Sequence, residues 1–355
     1  MNSGRYNRQT ILKGFGLDAQ QQLLDAKVLV IGAGGLGIPV LTYLNAMGVG
    51  TLGIVEQDIV SESNLHRQVI YSESDIGRPK IEVIKEKLTA QNTTTKLITY
   101  NTFLVKENAL KIIADYDIVV DASDNFPTRY LVNDACVILK KPFVYGALHG
   151  YEGQVSVFNY KDGPTYRCLF PNMPKFDEVP NCNEHGVLGI LPGIIGNLQA
   201  LEAIKVLTGI GEVLSGKLLI FSALEQTYQK IKFKVLPENL LITKLQETYN
   251  WFNPCEVITS ISASKIQELI ANSSQIIDLR TNDEYADFHL AKSIHIPLNT
   301  IDQNLDKIDF SNPVYLLCQS GKRSQLAYKK LVQAYPKTLF YNISGGLNQY
   351  LTICS

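Results

Sequence analysis

Lys27-Val-Leu-Val-Ile-Gly-Ala-Gly-Gly-Leu-Gly37 decides the fold of the first part of the chain. Its first half, Lys27 to Ile31, is a branched apolar run and predicts a buried strand. Gly32, Gly34, Gly35 and Gly37 then permit a tight turn into a helix from Ile38 to Met47. Glycines at this spacing between strand and helix let backbone N–H groups approach a phosphate at the positive helix end. A second strand, Thr51 to Val55, runs into Glu56, where a carboxylate can accept from ribose hydroxyls. No residue from Val28 to Val55 is charged, a length that would span a bilayer. Its glycines, Pro39 and Asn45 read instead as strand, turn, helix, strand, and the expectation is a soluble protein.

The alternation continues outward. Lys80 to Leu88 has helical spacing, with Ile81, Ile84 and Leu88 on one face. Tyr116 to Val120 is a strand that leads into Asp121-Ala-Ser-Asp-Asn125. Strands separated by helices imply right-handed βαβ units and a mainly parallel sheet, the Rossmann-like form of an α/β fold. Gly153 to Phe158 reads as a later antiparallel strand ended by the Lys161-Asp-Gly-Pro164 turn, and Pro192 to Leu207 as another helix. Pro237, Asn253 and Pro254 break this rhythm, so we expect one domain over residues 1–250 and a small α/β domain over 251–355. In the latter, Ser262 or Ser264 can cap a helix bearing Ile266, Leu269 and Ile270. Strands follow at Gln275–Leu279 and Pro313–Leu317, with a helix from Ser324 onward.

Composition narrows the function. Lys plus Arg is 33 and Asp plus Glu 34, a net charge of −1, which excludes a strongly basic nucleic-acid binder. At 45% hydrophobic and 19% charged, the chain can bury cores and is not a disordered protein. Its six cysteines are too sparse for a disulfide scaffold and fit a reducing, cytoplasmic setting.

Which nucleotide the glycine loop holds is set by the residues after it. Ser63-Asn-Leu-His-Arg-Gln68 and Gly77-Arg-Pro-Lys80 supply cationic and polar groups beyond the second strand. Asp124 and Asn125 sit at the strand edge where open parallel sheets bind ligands. A triphosphate needs Arg and Lys for neutralisation and a carboxylate for Mg²⁺, whereas a hydride-transfer cofactor needs fewer charges. ATP is therefore the expected ligand. The alternatives are an NAD or FAD oxidoreductase of the same fold and a non-catalytic docking protein for a ubiquitin-like partner.

Arg5-Tyr-Asn-Arg-Gln9, the glycine loop, Ser63–Gln68, Gly77–Lys80, Asp121–Asn125, Tyr166-Arg-Cys168 and Cys182-Asn-Glu-His-Gly186 occur in this order over residues 5–235. Together they resemble the ubiquitin-activating-enzyme-like adenylyltransferases of molybdopterin and thiamine biosynthesis. The resemblance implies adenylation of the C-terminal Gly-Gly of a ubiquitin-like sulfur carrier protein. Gly35 and Glu56 would hold the nucleotide, with Glu56 on the ribose where many relatives carry Asp. Ser63, Asn64, Arg67 and Lys80, with Leu65 and His66 in the same motif, would surround the phosphates. Asp124, beside Asn125, would position Mg²⁺ and the reacting groups. Arg8 would reach across a homodimer into the partner's ATP site. Cys182 would be a nucleophile that takes the glycyl group or resolves an acyl disulfide. Relatives often hold a structural zinc between two Cys-x-x-Cys pairs. Here Thr165 stands in the first pair and Ile258 in the candidate second pair, Cys255–Ile258, so no structural zinc is expected.

Cys318-Gln-Ser-Gly-Lys-Arg-Ser324 lies between a strand and a helix, a loop that aims backbone N–H groups at one sulfur, with Lys322 and Arg323 adding positive charge. Together with Asp278, Arg280, Glu284, His289, His295 and Gly345-Gly346 it resembles a rhodanese, whose cysteine carries a persulfide. The combined expectation is a two-domain adenylyltransferase and sulfurtransferase, loaded by a persulfide donor, that leaves a thiocarboxylate on the carrier. The motifs do not separate molybdopterin, thiamine and tRNA thiolation as the destination of that sulfur.

Overall fold

A computed structural model describes residues 3–174, 186–249, 259–335 and 337–354. The chain divides into two compact units, Met1–Trp251 and Phe252–Ser355. The first begins with helices α1 (Ser3–Thr10) and α2 (Gly16–Asp25), then β1 (Lys27–Ile31), α3 (Gly37–Ala46) and β2 (Thr51–Val55). There follow α4 (Lys80–Gln91), β3 (Lys96–Tyr100), α5 (Lys106–Ala114), β4 (Ile118–Asp121) and α6 (Phe126–Ile138). The unit is completed by β5 (Phe143–His149), β6 (Glu152–Phe158), α7 (Tyr166–Leu169), α8 (Leu191–Thr208), β7 (Lys217–Ser222) and β8 (Thr227–Lys232).

These strands form one eight-stranded sheet in the order β3-β2-β1-β4-β5-β6-β7-β8. Pairing is parallel from β3 to β5 and antiparallel from β5 to β8. β1 is apolar throughout because both of its faces are covered. Val28 and Val30 enter one core, with α3, α4 and α8, while Leu29 and Ile31 enter the other, with α5 and α6. Each such side chain contributes about 1.5–3 kcal/mol by leaving water, which is what holds the glycine turn at a fixed height. The chain leaves β1 for β2 on one side, while β4 lies on the other, so the crevice beyond β1 and β4 is the topological switch point where open sheets bind ligands. No described helix is long and apolar enough to cross a membrane.

Glycines make that crevice possible in two different ways. Gly32 has φ +94°, and a Cβ there would stand 2.9 Å from the Ala122 carbonyl oxygen. A Cβ on Gly37 would fall 1.9 Å from the Gly32 carbonyl oxygen, so no side chain fits where α3 starts.

The second unit contains β9 (Ser260–Ser262), α9 (Ile266–Ala271), β10 (Gln275–Asp278), α10 (Asn282–Asp287), β11 (Ile294–His295), β12 (Val314–Leu317), α11 (Lys322–Ala334), β13 (Phe340–Ser344) and α12 (Gly346–Cys354). Its parallel sheet runs β11-β10-β12-β13-β9, which puts Cys318 at the end of the central strand. Ser262 supplies the cap, accepting from the Ser264 N–H at 3.3 Å. Arg280 is almost fully buried against Asp278 at 2.7 Å, and Tyr285 stacks between His289 and His295 at centroid distances of 4.3 and 4.0 Å.

Candidate functional site

A cleft of about 800 Å³ opens at the switch point. It is lined by Gly32, Gly34, Gly35, Glu56, Ser63, His66, Arg67, Lys80, Asp124 and Asn125, so most of the expected nucleotide residues share one space. Gly37, Asn64 and Leu65 do not line it. Gly37 gives α3 its close approach to Gly32. The Asn64 carbonyl accepts from the Arg67 and Gln68 N–H groups and so shapes the turn, while Leu65 packs into the core.

Glu56 does more than face a ligand. Its Oε2 accepts from the Ala33 N–H at 2.9 Å, and its Oε1 from the Gln57 and Asp58 N–H groups at 2.8 Å each. The carboxylate therefore ties the glycine turn to the end of β2. Three of its roughly four lone-pair positions are taken, leaving about one for a hydroxyl.

The cationic wall is held by short-range geometry. Arg67 Nη1 donates to the Ser63 carbonyl at 2.9 Å and contacts His66 Nε2 at 2.7 Å. For that nitrogen to accept, the His66 proton must sit on Nδ1. Lys80 opens α4 directly after Pro79 and is 4% exposed, yet its ammonium makes one long hydrogen bond, 3.4 Å to Asp58. A buried cation so thinly paired is relieved by an anionic ligand. Gln68, also buried on the cleft wall, leaves Oε1 without a partner.

Asp124 stands exposed at the start of the turn into α6, where Asn125 caps the helix by accepting from the Thr128 N–H at 2.9 Å. Among the described residues its carboxylate has no hydrogen-bond partner and belongs to no cluster able to cage a metal. That fits Mg²⁺, which is commonly held by one or two carboxylates together with substrate phosphates.

Among the lining residues that the sequence reading did not single out are Asp58, Gln68 and Arg129. Gln68 ends a quoted motif but carries no charge to flag it. Arg129 lies on α6, four residues after its cap, and nothing in that spacing marks it as buried.

Arg8 is exposed on α1, outside the cleft, and makes no hydrogen bond or ion pair with described residues of its own chain. Its helix is fixed in place by Tyr6, which packs on Gly48 and accepts from Asn92 Nδ2 at 3.3 Å. Cys182 and Cys255 lie outside the described residues, and Cys136 is buried in the core.

What faces Thr165 and Cys168 is another pair of the same spacing, Leu236 and Asn239. Cys168 Sγ accepts from the Leu236 N–H at 3.3 Å and the Thr165 N–H at 3.4 Å, with Asn239 Nδ2 at 3.8 Å. Neither Leu236 nor Asn239 carries a thiol, and the candidate pair Cys255–Ile258 lies outside the described residues. A single sulfur thus hydrogen-bonds together two turns that are 68 residues apart. Cys168→Ala is expected to cost about 0.5–1 kcal/mol by thermal unfolding, since it removes these hydrogen bonds at a site that water can reach. The purified wild type is expected to carry well under one equivalent of zinc by elemental analysis, and a full tightly bound equivalent would overturn that account.

In the second unit, Cys318 is fully buried at the N-terminus of α11. Its sulfur accepts from the Gly321 N–H at 3.2 Å and the Ser324 N–H at 3.4 Å. The Ser324 hydroxyl, 3.4 Å from the sulfur, is anchored on Asn342 Oδ1 at 2.6 Å. Arg323 departs from expectation. It forms two 2.6 Å hydrogen bonds to Glu284 and holds that carboxyl down to about 2, so its charge is largely answered before it reaches the sulfur. The side chain of Lys322 lies outside the described residues. Two backbone N–H groups at the start of α11 are left as the donors directed at the sulfur.

The profile of the ThiF family matches residues 6–239, and that of the rhodanese-like domain residues 262–352. A sulfur carrier protein adenylyltransferase of Thermus thermophilus is 52% identical over 66% of this chain and 88% of that protein. The adenylyltransferase and sulfurtransferase MOCS3 of Aedes aegypti is 39% identical over 93% of this chain and 82% of its own length. The E. coli MccB structure with ATP superposes at a TM-score of 0.59 and 24% identity, covering 66% of this chain and 73% of that one, which shows a shared fold. The chain belongs to the ThiF family and carries a rhodanese-like domain behind its ThiF unit.

Proposed function

We propose that this protein activates the C-terminal glycine of a ubiquitin-like sulfur carrier as an acyl-adenylate and then replaces AMP with sulfur delivered by the rhodanese-like domain. The observation that carries this reading is the gathering of Gly34, Gly35, Arg67, Lys80 and Asp124 in one cleft. A nicotinamide or flavin would not need a thinly paired buried Lys80 beside Arg67; a triphosphate does. The kinship with a sulfur carrier protein adenylyltransferase over 66% of the chain, and with an adenylyltransferase and sulfurtransferase over 93% of it, supports the carrier as substrate.

The carrier's carboxylate attacks the α-phosphorus of ATP, the bond to the bridging oxygen breaks, and pyrophosphate leaves. Arg67 and Lys80 neutralise the phosphates, and the glycine turn lets them approach the start of α3. Mg²⁺ bound through Asp124 and phosphate oxygens would offset the charge on the leaving group. The protein performs little covalent work in this half-reaction; it orients the two anions.

In the second half-reaction, the outer sulfur of a Cys318 persulfide attacks the acyl carbon and AMP leaves, giving an acyl disulfide. A second thiol, for which the family resemblance nominates Cys182, attacks Cys318 Sγ and releases the thiocarboxylate. The resulting disulfide is returned to thiols by a thiol reductant, consistent with a cytoplasmic setting. A persulfide-bearing donor protein recharges Cys318.

The direct test is ATP–pyrophosphate exchange with and without a Gly-Gly-ended carrier. Exchange that requires the carrier is expected, and a folded protein that shows none with any candidate carrier would overturn the reading. The exposed, unengaged Arg8 suits a residue that serves a second copy of the chain. Arg8→Ala and Asp124→Asn proteins, each inactive alone, are then expected to regain activity when mixed and re-equilibrated, with about a quarter of the sites intact in a twofold dimer. No recovery would place Arg8 outside the neighbouring site.

A further inference from the structure

The cleft has two halves, and strand order separates them. The glycine turn, Arg67 and Lys80 belong to the side of β1 and β2, whereas Arg129, Tyr145, Gln154 and Tyr166 belong to α6, β5, β6 and α7, on the far side of β4. Asp124, just beyond β4, stands at the junction. The first half accounts for a triphosphate. The second contains a cation that the nucleotide does not explain.

Arg129 is 7% exposed. Its guanidinium makes one hydrogen bond, from Nη2 to the Ser123 carbonyl at 3.3 Å, and its buried Nε has no partner. Aromatic rings hold it in place: Phe126 at 5.2 Å and Tyr145 at 5.5 Å from Cζ to centroid. No described carboxylate lies within ion-pair distance of it. The nearby Asp121 directs Oδ1 to the Ser123 N–H and hydroxyl and leaves Oδ2 without a hydrogen bond, so the two groups do not satisfy each other. The Tyr166 hydroxyl is likewise buried and unpaired. Asp121 and Asp124 act on this guanidinium only through space, and a buried charged fork with one hydrogen bond and no ion pair is readily completed by a bidentate carboxylate supplied from outside.

We propose that Arg129, with the Tyr145 and Tyr166 rings, forms the subsite that captures the free carboxylate at the carrier's C-terminus and delivers it past Asp124 to the α-phosphate. Phe126, Tyr145, Tyr166 and Phe170 make this half of the cleft aromatic, a surface against which a glycine pair without polar side chains can lie. The carboxylate would otherwise approach a cleft already holding the carboxylate of Asp124 and a polyphosphate. A fixed guanidinium offsets that repulsion and orients the attacking oxygen.

This inference rests on the proposed adenylation of a carrier, and the experiment separates the two. The carrier that supports pyrophosphate exchange is prepared with its natural carboxylate and, by semisynthesis, with a C-terminal carboxamide. Both are titrated against the full-length protein. Wild type is expected to bind the carboxylate form at least about tenfold more tightly. Arg129→Gln is expected to bind the two forms alike, with ATP affinity unchanged. If Arg129→Gln keeps the wild-type preference, or weakens both forms equally, the subsite is wrong and Arg129 serves packing or, through buried water, Asp121. Should Arg129→Gln not fold, Arg129→Lys tests the fork: it is expected to raise the carrier KM about tenfold with the ATP KM unchanged, and equal rises in both would overturn the assignment. A wild type that binds neither form would instead overturn the adenylation reading itself.

Discussion

Asp124→Asn is expected to lower carrier-dependent ATP–pyrophosphate exchange by about 10²–10³-fold, the loss typical of removing one charge-stabilising group from a reacting centre. The structure removes the usual competing explanation for so large an effect. Asp124 is exposed and accepts no hydrogen bond from the described protein, so the amide variant strands no donor and opens no cavity. Stability should stay within about 0.5 kcal/mol of wild type. Arg67→Lys is a useful companion, because one arginine nitrogen, Nη1, engages both Ser63 and His66, and a lysine that kept those contacts would have no second nitrogen to offer the cleft. Its loss of activity should come with a raised ATP KM, whereas that of Asp124→Asn should fall mainly on kcat. Exchange within about threefold of wild type in a folded Asp124→Asn protein would remove this residue from the chemistry.

Much of this site was legible in the sequence because its chemistry is carried by short segments in strict local order. A buried strand, a glycine turn and a helix place Gly32 to Gly35 with no information from elsewhere in the chain. Glu56 and Asp124 follow because strand ends in a parallel sheet converge on one edge. What stayed hidden depended on distant pairing. The dual engagement of Glu56 with the Ala33 N–H and its own turn could not be read from spacing. Nor could the opposition of Thr165 and Cys168 to Leu236 and Asn239, since nothing in a Leu and an Asn 68 and 71 residues beyond that cysteine marks them as its partners. The antiparallel strands β7 and β8 gave little signal for a different reason. β8 is exposed along its whole length, so burial imposes no apolar alternation on it. Arg129 was missed because a single arginine in a helix reads as solvated surface until its burial is seen.

Cys318→Ala is expected to abolish thiocarboxylate formation from a protein persulfide donor while leaving carrier-dependent pyrophosphate exchange intact. The two activities separate because the groups that perform them sit in different compact units. Two backbone N–H groups at the start of a 13-residue helix are aimed at this sulfur, the geometry that suits both the attack that loads a sulfane sulfur and the attack that passes it on. The Arg323–Glu284 pair supports this loop from outside. With the Glu284 carboxyl held at about 2, its contribution is present above the ordinary glutamate range and is lost only as the pH falls toward 2, so it is constant where the enzyme would be assayed. Full burial of Cys318 carries its own consequence: the shielding atoms must move before a donor can reach the sulfur. Cys318→Ser serves as a control for packing, since it keeps a donor and acceptor at nearly the same volume and yet cannot hold a persulfide. Mass spectrometry of the carrier reads the exchange of oxygen for sulfur directly. If either variant, supplied with the persulfide donor alone, still yields thiocarboxylate at the wild-type rate, sulfur does not pass through this loop. The donor would then attack the acyl-adenylate without the rhodanese-like domain as intermediary.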